Sequence, residues 1–534
     1  MEGKGGSQTY DAVNKAWKST CKVLFGTEVG ELGDFSEWLE EYLEQRRCEK
    51  SSVSGQDVYF SVHDYAKDAQ FIAFEEIDFG KKFKPLSINE VKDIDSIAQA
   101  VGERAQYTGN ISLGNSHYVQ GSNNVINGNF IYNSEFIRDS KYVGHSIWVT
   151  DAEYVFGMGG CRTGSHTMKC MGGQYKRCFE CPSSEYLSDC YYCPSAKNCI
   201  ECMFCFGAEN GTHMIGNMKL PKDKYAELKA KLLSEIAQKL KKDKRIFSVF
   251  ELLEIAKREK REASGIKMPI GKRAPFSMAP IEEAFEKTSS ILFGKPLVGM
   301  ERYGKWLQRH IPMNEYFRSP FTGEEAIVAG YRAYLTRQFN IGGRLLPEIE
   351  IREIGKKEID AQKLVEVEFE PESLCSVLGE IAYSDLNKMF GNLLNISHGA
   401  VLVDAQDCFE GSAFTKCKKC AYCFWPDSSE YVFGSQMAWK SSFCINCYNS
   451  NKLTRCFEVD ASQNCAGAYF LHNCENVQDS MFCFNTKNLR NAIGNAELAQ
   501  EKYLGVKNAL FAQMHAELEK KKELKLDIYN VGAR

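Results

Sequence analysis

An apolar residue returns every six positions along the chain from position 113 to position 161. A small residue stands three positions before most of these apolar residues, and an aromatic residue often comes directly before them. The apolar positions are Leu113, Val119, Val125, Ile131, Ile137, Val143, Val149, Val155 and Cys161. An α-helix has about 3.6 residues per turn and cannot sustain a period of six. Short strands separated by tight corners can, so the pattern predicts a stack of parallel β-strands.

The same spacing continues, after a shift of two residues, into a cysteine-rich segment, and it reappears in a second such segment near the C-terminus. Cysteines occupy both the apolar and the small position of the repeat. In the apolar position stand Cys181, Cys193, Cys199, Cys205, Cys447, Cys465 and Cys483, and in the small position stand Cys178, Cys190, Cys202, Cys444, Cys456 and Cys474. Because free cysteine packs as a small hydrophobic side chain, the repeat by itself predicts cysteine at these positions.

The chain contains an internal duplication. The sequence EYVFG at 153–157 recurs at 430–434, and RCFE at 177–180 recurs at 455–458. Further landmarks recur in the same order, at offsets of 277 or 278 residues in these parts and of 268 residues upstream. We therefore interpret the chain as two copies of one module of roughly 260 residues.

Each module is predicted to have a cap, a stack of strands and an amphipathic helix, in that order. Apolar residues at three- and four-residue spacing from Tyr225 to Leu240 are typical of a helix with one buried face. The predicted parts are the helical or α+β cap 1–105, the β-solenoid 106–217, the helices and basic connector 218–275, the second cap 276–385, the second β-solenoid 386–495 and the C-terminal helix 496–534. The predicted fold class is α+β, a tandem duplication of a module with a cysteine-rich parallel β-helix flanked by helical segments.

The six-residue repeat resembles that of hexapeptide-type β-helices, in which three six-residue faces complete a turn of about 18 residues. This resemblance implies that the later cysteines form two columns on different faces. The first column is Cys447, Cys465 and Cys483, and the second is Cys456 and Cys474. The segment CFNTKNLRN at 483–491 also resembles a loosely defined group of cysteine-rich microbial proteins of unassigned function, which implies no activity.

Composition narrows the class of protein. A chain of 534 residues is long enough for about two to four domains. A hydrophobic content of 44% with 25% charged residues is typical of globular proteins. The first residues lack the pattern of a signal peptide, and no window of about 18 residues is uninterruptedly apolar. We therefore expect a cytoplasmic protein without membrane association, whose 22 cysteines are reduced thiols or metal ligands.

Some cysteines have the spacing of metal ligands. Two thiolates of a C-x-x-C pair can take two corners of a zinc tetrahedron, and C-x-x-C-x-x-C runs are similar to Fe–S cluster ligation. The candidate ligands are Cys178, Cys181, Cys190, Cys193, Cys199, Cys202, Cys205, Cys417, Cys420, Cys423, Cys444 and Cys447. The alternative interpretations are a structural stack of thiols, which the repeat places at the same spacing, and redox-active disulfides.

Other chemistry in the sequence is sparse, since it has no P-loop, zinc-protease, nucleophile-elbow or dinucleotide-binding motif. The histidines nearest the predicted strands are scattered, and each is predicted to be structural: His145, His166, His213 and His472. The connector 219–273 has 17 Lys or Arg against 8 Asp or Glu, in a chain of formal net charge −4. Such a segment can bind RNA or simply form a solvated helix. We do not expect any other part of the chain to bind nucleic acid.

The predicted function is that of a non-enzymatic structural or protein-interaction component, a scaffold with other subunits or further copies of the chain as partners. The duplication and the lack of a catalytic constellation favour it, and no catalytic or cofactor-binding residue is predicted. A second hypothesis is a metal-binding protein that holds zinc or an Fe–S cluster on its thiols. A third is a hexapeptide-type transferase, which would use one histidine at a junction between subunits.

Overall fold

The computed structural model of the protein describes residues 7–62, 64–87, 91–271 and 275–531. Outside these ranges lie 1–6, 63 and 88–90 of the predicted first cap, 272–274 of the connector region and 532–534 of the C-terminal part. The fold contains helices and strands and belongs to the α+β class. The α-helices, in chain order, are α1 Gln8–Phe25, α2 Ser36–Glu40, α3 Ile94–Ala100, α4 Lys222–Asp243, α5 Val249–Arg258, α6 Ala279–Phe293, α7 Gly304–Leu307, α8 Ala333–Gln338, α9 Glu348–Ile354, α10 Pro371–Leu378 and α11 Gln500–Lys521.

The strands follow the duplication. The first module has β1 Arg47–Lys50, β2 Asp57–Phe60, β3 Gln70–Ala73, β4 Gln106–Gly109, β5 Ser112–Leu113, β6 His117–Gln120, β7 Asn123–Ile126, β8 Asn129–Tyr132, β9 Glu135–Arg138, β10 Lys141–Gly144, β11 Ile147–Thr150, β12 Glu153–Phe156, β13 Gly159–Met168, β14 Met171–Lys176, β15 Pro182–Ser188, β16 Ile200–Met203, β17 Thr212–Ile215 and β18 Met218–Lys219. The second module has β19 Glu315–Arg318, β20 Glu325–Val328, β21 Met389–Phe390, β22 Leu394–Val403, β23 Gln406–Thr415, β24 Lys418–Phe424, β25 Glu430–Phe433, β26 Gln436–Trp439, β27 Ser442–Asn451, β28 Thr454–Asp460, β29 Ala466–Glu475, β30 Gln478–Lys487, β31 Ala492–Ile493 and β32 Ala496–Glu497.

Two sheets dominate the fold, and we call them β-stack one (β5–β18) and β-stack two (β21–β32). Within each, a residue pairs in parallel with the residue twelve positions later, as Val125 does with Ile137 and Cys444 with Cys456. The turn of about 18 residues implied by the hexapeptide resemblance is therefore wrong. Interior side chains recur at every third residue, so the small and the apolar positions both point inward.

One irregularity interrupts β-stack one. Gly164 pairs with Tyr175, eleven positions later, and the register shifts at Met171 and Gly172. A bulge of this kind changes the residue count of one turn while the strands on either side remain paired. The shift in the six-residue pattern of the sequence lies at this bulge.

The residue before each inward position has a left-handed backbone, for example Tyr142 (φ 56°), His145 (φ 50°) and Trp148 (φ 56°). This conformation turns the chain after every third residue, although large side chains adopt it rarely. In β-stack one, five of these residues form a column of rings with centroids 4.4 to 5.1 Å apart: Tyr118, Phe130, Tyr142, Tyr154 and His166. Their contacts offset part of the conformational cost and explain the aromatic residues before the apolar positions.

Small inward residues carry hydrogen bonds between turns. The Ser146 hydroxyl accepts from the N–H of Met158 at 3.1 Å and donates to the carbonyl of Gly144 at 2.9 Å. Ser429 likewise accepts from the N–H of Ser441 at 2.9 Å. A buried backbone group without a partner costs about 1 to 3 kcal/mol, so a small polar side chain stabilises this position better than an apolar one.

The hydrophobic cores show that the two modules are interlocked. Each β-stack encloses one core, and a further core covers the outside of each. The core outside β-stack one joins Trp17 of α1 to Leu345 of the second module. The core outside β-stack two joins Phe285 of α6 to Val58 and Tyr107 of the first module. The second half of each cap therefore packs against the β-stack of the other module.

Polar contacts fix this reciprocal exchange in both directions. The Tyr107 hydroxyl donates to the carbonyl of Ile528 at 2.7 Å. In the other direction, the Ser384 and Ser195 hydroxyls lie 3.0 Å apart. The domain boundaries predicted from the sequence give the order of the parts, but they do not show that each cap contributes to both modules.

Candidate functional sites inside and on the faces of the β-stacks

All twelve candidate metal ligands point into the interior of a β-stack and are buried. In β-stack one, seven of them neighbour one another closely enough for thiols to affect the pKa of their neighbours: Cys178, Cys181, Cys190, Cys193, Cys199, Cys202 and Cys205. In β-stack two, the sulfurs of Cys408 and Cys417 are 3.9 Å apart. The structure thus brings seven of the twelve candidate ligands into one group, which we call the thiol column.

The thiols donate hydrogen bonds to the backbone. Cys193 Sγ lies 3.3 Å from the carbonyl oxygen of Tyr191 and 3.4 Å from that of Cys202. The second acceptor is nine residues later in the chain, on the adjacent side of the next turn. Ser184 makes the same contact, since its hydroxyl donates to the carbonyl of Cys193 at 2.6 Å. Cysteine and serine therefore have the same structural role at inward positions.

The two cysteine columns predicted from the hexapeptide resemblance are wrong. Cys447 pairs with Val459, Val459 with Leu471, and Leu471 with Cys483, so Cys447 and Cys483 are three turns apart. Cys465 lies on another side, because the eighteen residues from Cys447 to Cys465 make one and a half twelve-residue turns. Cys456 Sγ instead bonds to the Cys465 carbonyl at 3.5 Å.

Burial keeps the isolated thiols neutral. It raises the pKa of Cys161, Cys465 and Cys483 to about 12. The thiolate is the form of cysteine that attacks electrophiles and binds metals. These three side chains therefore serve as buried, protonated packing groups at neutral pH.

The thiols of the described residues are arranged as packing groups that bond to the backbone. Among these residues, no group of three or more His, Cys, Asp or Glu side chains could hold a metal ion. Zinc requires about four ligands in a tetrahedron at roughly 2.0 to 2.3 Å, whereas these thiols line a column and bond to carbonyls. The zinc and Fe–S assignments thus stay predictions.

The four histidines considered as catalytic candidates each have their own partner. These pairs are His145 with Glu40 (2.7 Å), His166 with the Tyr154 ring (centroids 4.4 Å apart), His213 with Glu201 (2.8 Å) and His472 with Asp460 (2.9 Å). His472 also accepts from the N–H of Thr108 at 2.8 Å, which leaves its other ring nitrogen to donate to Asp460. This histidine therefore ties the first module to β-stack two.

Two buried carboxyl groups at equivalent positions were missed by the sequence reasoning. Glu180 accepts from the Tyr42 hydroxyl at 2.6 Å and from the N–H of Val249 at 3.1 Å. Glu458 accepts from the N–H of Ile528 at 2.9 Å. Burial raises the pKa of each to about 8. Both carboxyls hold the segment that follows a long helix, and the signal for them was the final glutamate of the repeated RCFE.

A groove of about 560 Å³ runs along one face of β-stack two, and Lys416, Lys418 and Lys440 line it. Lys418 pairs with Glu430 at 3.6 Å. Lys416 and Lys440 are exposed and make no ion pair within the described ranges. Asp404 and Glu430 also line the groove, so its three lysines leave it with a net charge of +1.

The equivalent face of β-stack one has the opposite charge. The offset of 277 residues places Asp139 at the position of Lys416 and Asp151 at that of Ser428. Both aspartates are exposed. The two faces therefore have the same backbone arrangement but different charges.

The basic connector forms α4 and α5, with Lys272 and Arg273 outside the described residues. Helix α4 buries the predicted apolar face from Tyr225 to Leu240. Its lysines lie largely on the exposed side, which is the arrangement of a solvated helix. Of the helices in the described ranges, none combines the length and the apolar character needed to cross a membrane.

Comparison of the chain with protein-family models, with curated proteins and with solved structures finds no match. The function is therefore argued from the geometry of the chain itself.

Proposed function

We propose that the protein is a non-catalytic scaffold, built on two β-solenoids with twelve-residue turns, whose copies associate through oppositely charged faces. The observation that carries the proposal is the charge difference between equivalent faces of the two modules. Lys416 and Lys440 lie in the groove of β-stack two, whereas Asp139 and Asp151 lie on the matching face of β-stack one. Complementary charge on two surfaces favours their encounter and fixes their register.

The interior supports a structural role. The cysteines and serines that could carry chemistry are buried and bonded to backbone groups, as Cys193 and Ser184 show. The reciprocal packing of the caps joins the two modules through both outer cores. Such a body presents rigid faces whose shape changes little on association.

The contact we propose joins module one of one copy to module two of the next. Because the two surfaces differ, the contact is heterologous and can continue from copy to copy or close into a ring. The charges are exposed, so salt should weaken the contact.

Sedimentation velocity at low and high salt tests the proposal. We expect the wild-type chain to associate in about 20 mM salt and to dissociate in about 500 mM, where the screening length falls below roughly 5 Å. The variants K416E/K440E and D139K/D151K should each remain monomeric, and their mixture should associate again. The control K242E/K502E makes the same change in net charge on the exposed sides of α4 and α11 and should associate like the wild type. A wild-type protein that is monomeric at every salt concentration would overturn the proposal.

A second candidate is a zinc or Fe–S protein, and the seven neighbouring thiols of the thiol column favour it. Elemental analysis of protein purified without oxygen distinguishes the two candidates. Stoichiometric zinc or iron, lost on changing Cys199, Cys202 and Cys205 to serine, would replace the purely structural account.

A further inference from the structure

Module one contains a carboxylate bound by an arginine on the outside of its β-stack. Arg177 Nε and Nη2 each donate to one oxygen of Asp189, both at 2.6 Å. The Ser188 hydroxyl donates to Asp189 at 2.7 Å. Burial by itself raises the pKa of Asp189, but the bonds from Arg177 and Ser188 outweigh it and lower the pKa. The arginine fork thus holds an ionised carboxylate in a bidentate contact.

A lysine completes the surroundings of this carboxylate. The positive charge of Lys229 on α4 also acts on Asp189 and lowers its pKa further. The Lys229 ammonium lies over the rings of Tyr191 and Tyr225, 5.5 Å from each centroid. Module one therefore shows a complete recognition site for a carboxylate, occupied by a side chain of the protein itself.

Module two keeps the two basic residues and has a glycine in place of the aspartate, while Asp479 of the next turn supplies a carboxylate 3.6 Å from Lys507. The offset of 278 residues places Arg455 at the position of Arg177 and Lys507 at that of Lys229. It places Gly467 at the position of Asp189. Gly467 has φ 60° and Asp189 has φ 58°, so the backbone is the same and only the side chain is missing.

A cavity of about 550 Å³ lies beside Gly467, and Arg455, Gly467, Asp479 and Lys507 line it. The Asp479 carboxylate reaches over Gly467, since a Cβ on residue 467 would lie 2.6 Å from Asp479 Oδ1. Arg455 is exposed and makes no ion pair within the described residues. Lys507 has a side chain only 16% exposed and reaches one counter-charge, Asp479, at 3.6 Å. Burial lowers the pKa of Lys507, and the charge of Arg455 lowers it further against the opposing effect of Asp479.

We infer that the cavity beside Arg455 binds the carboxylate of an acidic ligand, which Arg455 holds as Arg177 holds Asp189 in module one. The guanidinium supplies the bidentate contact and Lys507 a second positive charge. Ile291, Phe443 and Tyr469 line other parts of the cavity, so a ligand with an apolar group beside its carboxylate fits best. The inference does not rest on the proposed assembly, since the cavity uses neither of the charged faces described above.

Titration calorimetry with the full chain tests the site. The probes are 3-phenylpropanoate, an acetylated peptide with one aspartate, and inorganic phosphate. We expect one equivalent of a carboxylate probe to bind the wild type. The variant G467D should lose binding and gain thermal stability, because it restores the internal carboxylate. A Cβ at this position meets Asp479 Oδ1 at 2.6 Å, which is the movable end of a side chain.

The converse variant, D189G, should open a second site and raise the stoichiometry to two. R455Q should weaken binding about tenfold or more, because it removes a charge-assisted contact. The matched change R177Q in module one should leave the affinity unchanged. R455Q keeps the test valid if G467D does not fold.

Each outcome decides the inference. Binding of either carboxylate probe with the expected loss in R455Q supports it, and the relative affinities assign the ligand to a small acid or to an acidic peptide. It is overturned if neither carboxylate saturates the wild type, if R455Q binds as well as the wild type, or if phosphate binds more tightly than both carboxylates.

Discussion

The two modules agree inside and differ outside. Inward positions of both β-stacks hold serine, cysteine or an aliphatic residue, and Glu180 and Glu458 perform the same task in each. On the surface, by contrast, Asp139 and Asp189 of module one correspond to Lys416 and Gly467 of module two. The hydrogen bonds between turns constrain the interior, whereas exposed corners tolerate almost any residue. The differences between the copies therefore concentrate where hydrogen bonding between turns does not constrain the residue type.

The largest effect should come from the buried carboxyls, which test whether the interiors are equivalent. Glu180 and Glu458 have pKa values raised to about 8 in the folded protein, from an ordinary value of 4.5. The folded state keeps a proton that the unfolded state releases, so the contribution of these two carboxyls to the free energy of unfolding is largest below pH 4.5 and falls as the pH rises to about 8. The slope is about 1.4 kcal/mol per pH unit for each carboxyl.

Glu180→Gln and Glu458→Gln should each reduce the pH dependence of the free energy of unfolding by about 1.4 kcal/mol per pH unit. Urea unfolding between pH 5 and 8 measures this change. Lys169 opposes the raised pKa of Glu180, whereas Asp527 reinforces that of Glu458. Since both pKa values nevertheless reach about 8, the slope lost in E458Q should match that lost in E180Q. A variant whose unfolding follows the wild-type pH dependence would show that its carboxyl is ionised in the folded state.

A somewhat smaller change in the free energy of unfolding is expected at the caps, where each cap packs on the β-stack of the other module. Tyr107→Ala and Tyr383→Ala remove equivalent buried rings and should each lower the free energy of unfolding by about 3 to 5 kcal/mol. Tyr107 packs against His472 and Phe484, so Y107A should raise hydrogen exchange in β-stack two. Y383A should raise it in β-stack one.

The control is Tyr186→Ala, which changes a ring that is 53% exposed and should cost less than about 0.5 kcal/mol. If Y107A loosened β-stack one instead, the reciprocal exchange of the caps would be wrong. Hydrogen exchange followed by mass spectrometry resolves the two β-stacks.

The smallest effect compares serine with cysteine inside β-stack one. Ser184→Ala removes the bonds to the Cys193 carbonyl (2.6 Å) and the Ala196 N–H (3.0 Å) and should cost about 1 to 3 kcal/mol. Cys193→Ser keeps a donor for both carbonyls and should cost no more than about 1 kcal/mol. Urea unfolding under reducing conditions ranks the two variants. The reverse ranking would mean that the thiol contributes more by packing than by hydrogen bonding.

Local patterns predicted much of the architecture. The return of EYVFG and RCFE revealed the duplication, and the spacing of Tyr225 to Leu240 predicted α4. The six-residue period correctly predicted stacked strands but gave the wrong number of residues per turn. Two three-residue sides of the turn together appear in the sequence as one repeat of six. Chemically unlike residues share the inward positions, so the true period of three is hidden in the residue types.

The candidate sites were harder to predict. The cysteines were correctly placed inside the repeat, but the partners of their thiols are backbone carbonyls nine residues on, which no residue type reveals. The cavity at Gly467 depends on an absent side chain. It becomes visible only when Arg455 is compared with Arg177 in three dimensions.

The sequence by itself determined the duplication, the α+β character, the strand-forming segments and the long helices, because each depends on contacts within a few turns of the chain. Only the tertiary structure decided the twelve-residue turn, the packing of each cap on the other module, and the difference between a filled and an open carboxylate site. These features depend on contacts between residues far apart in the chain. The two copies carry the same apolar positions. Their sequences are therefore equally compatible with a cap that packs on its own β-stack and with a cap that packs on the β-stack of the other module.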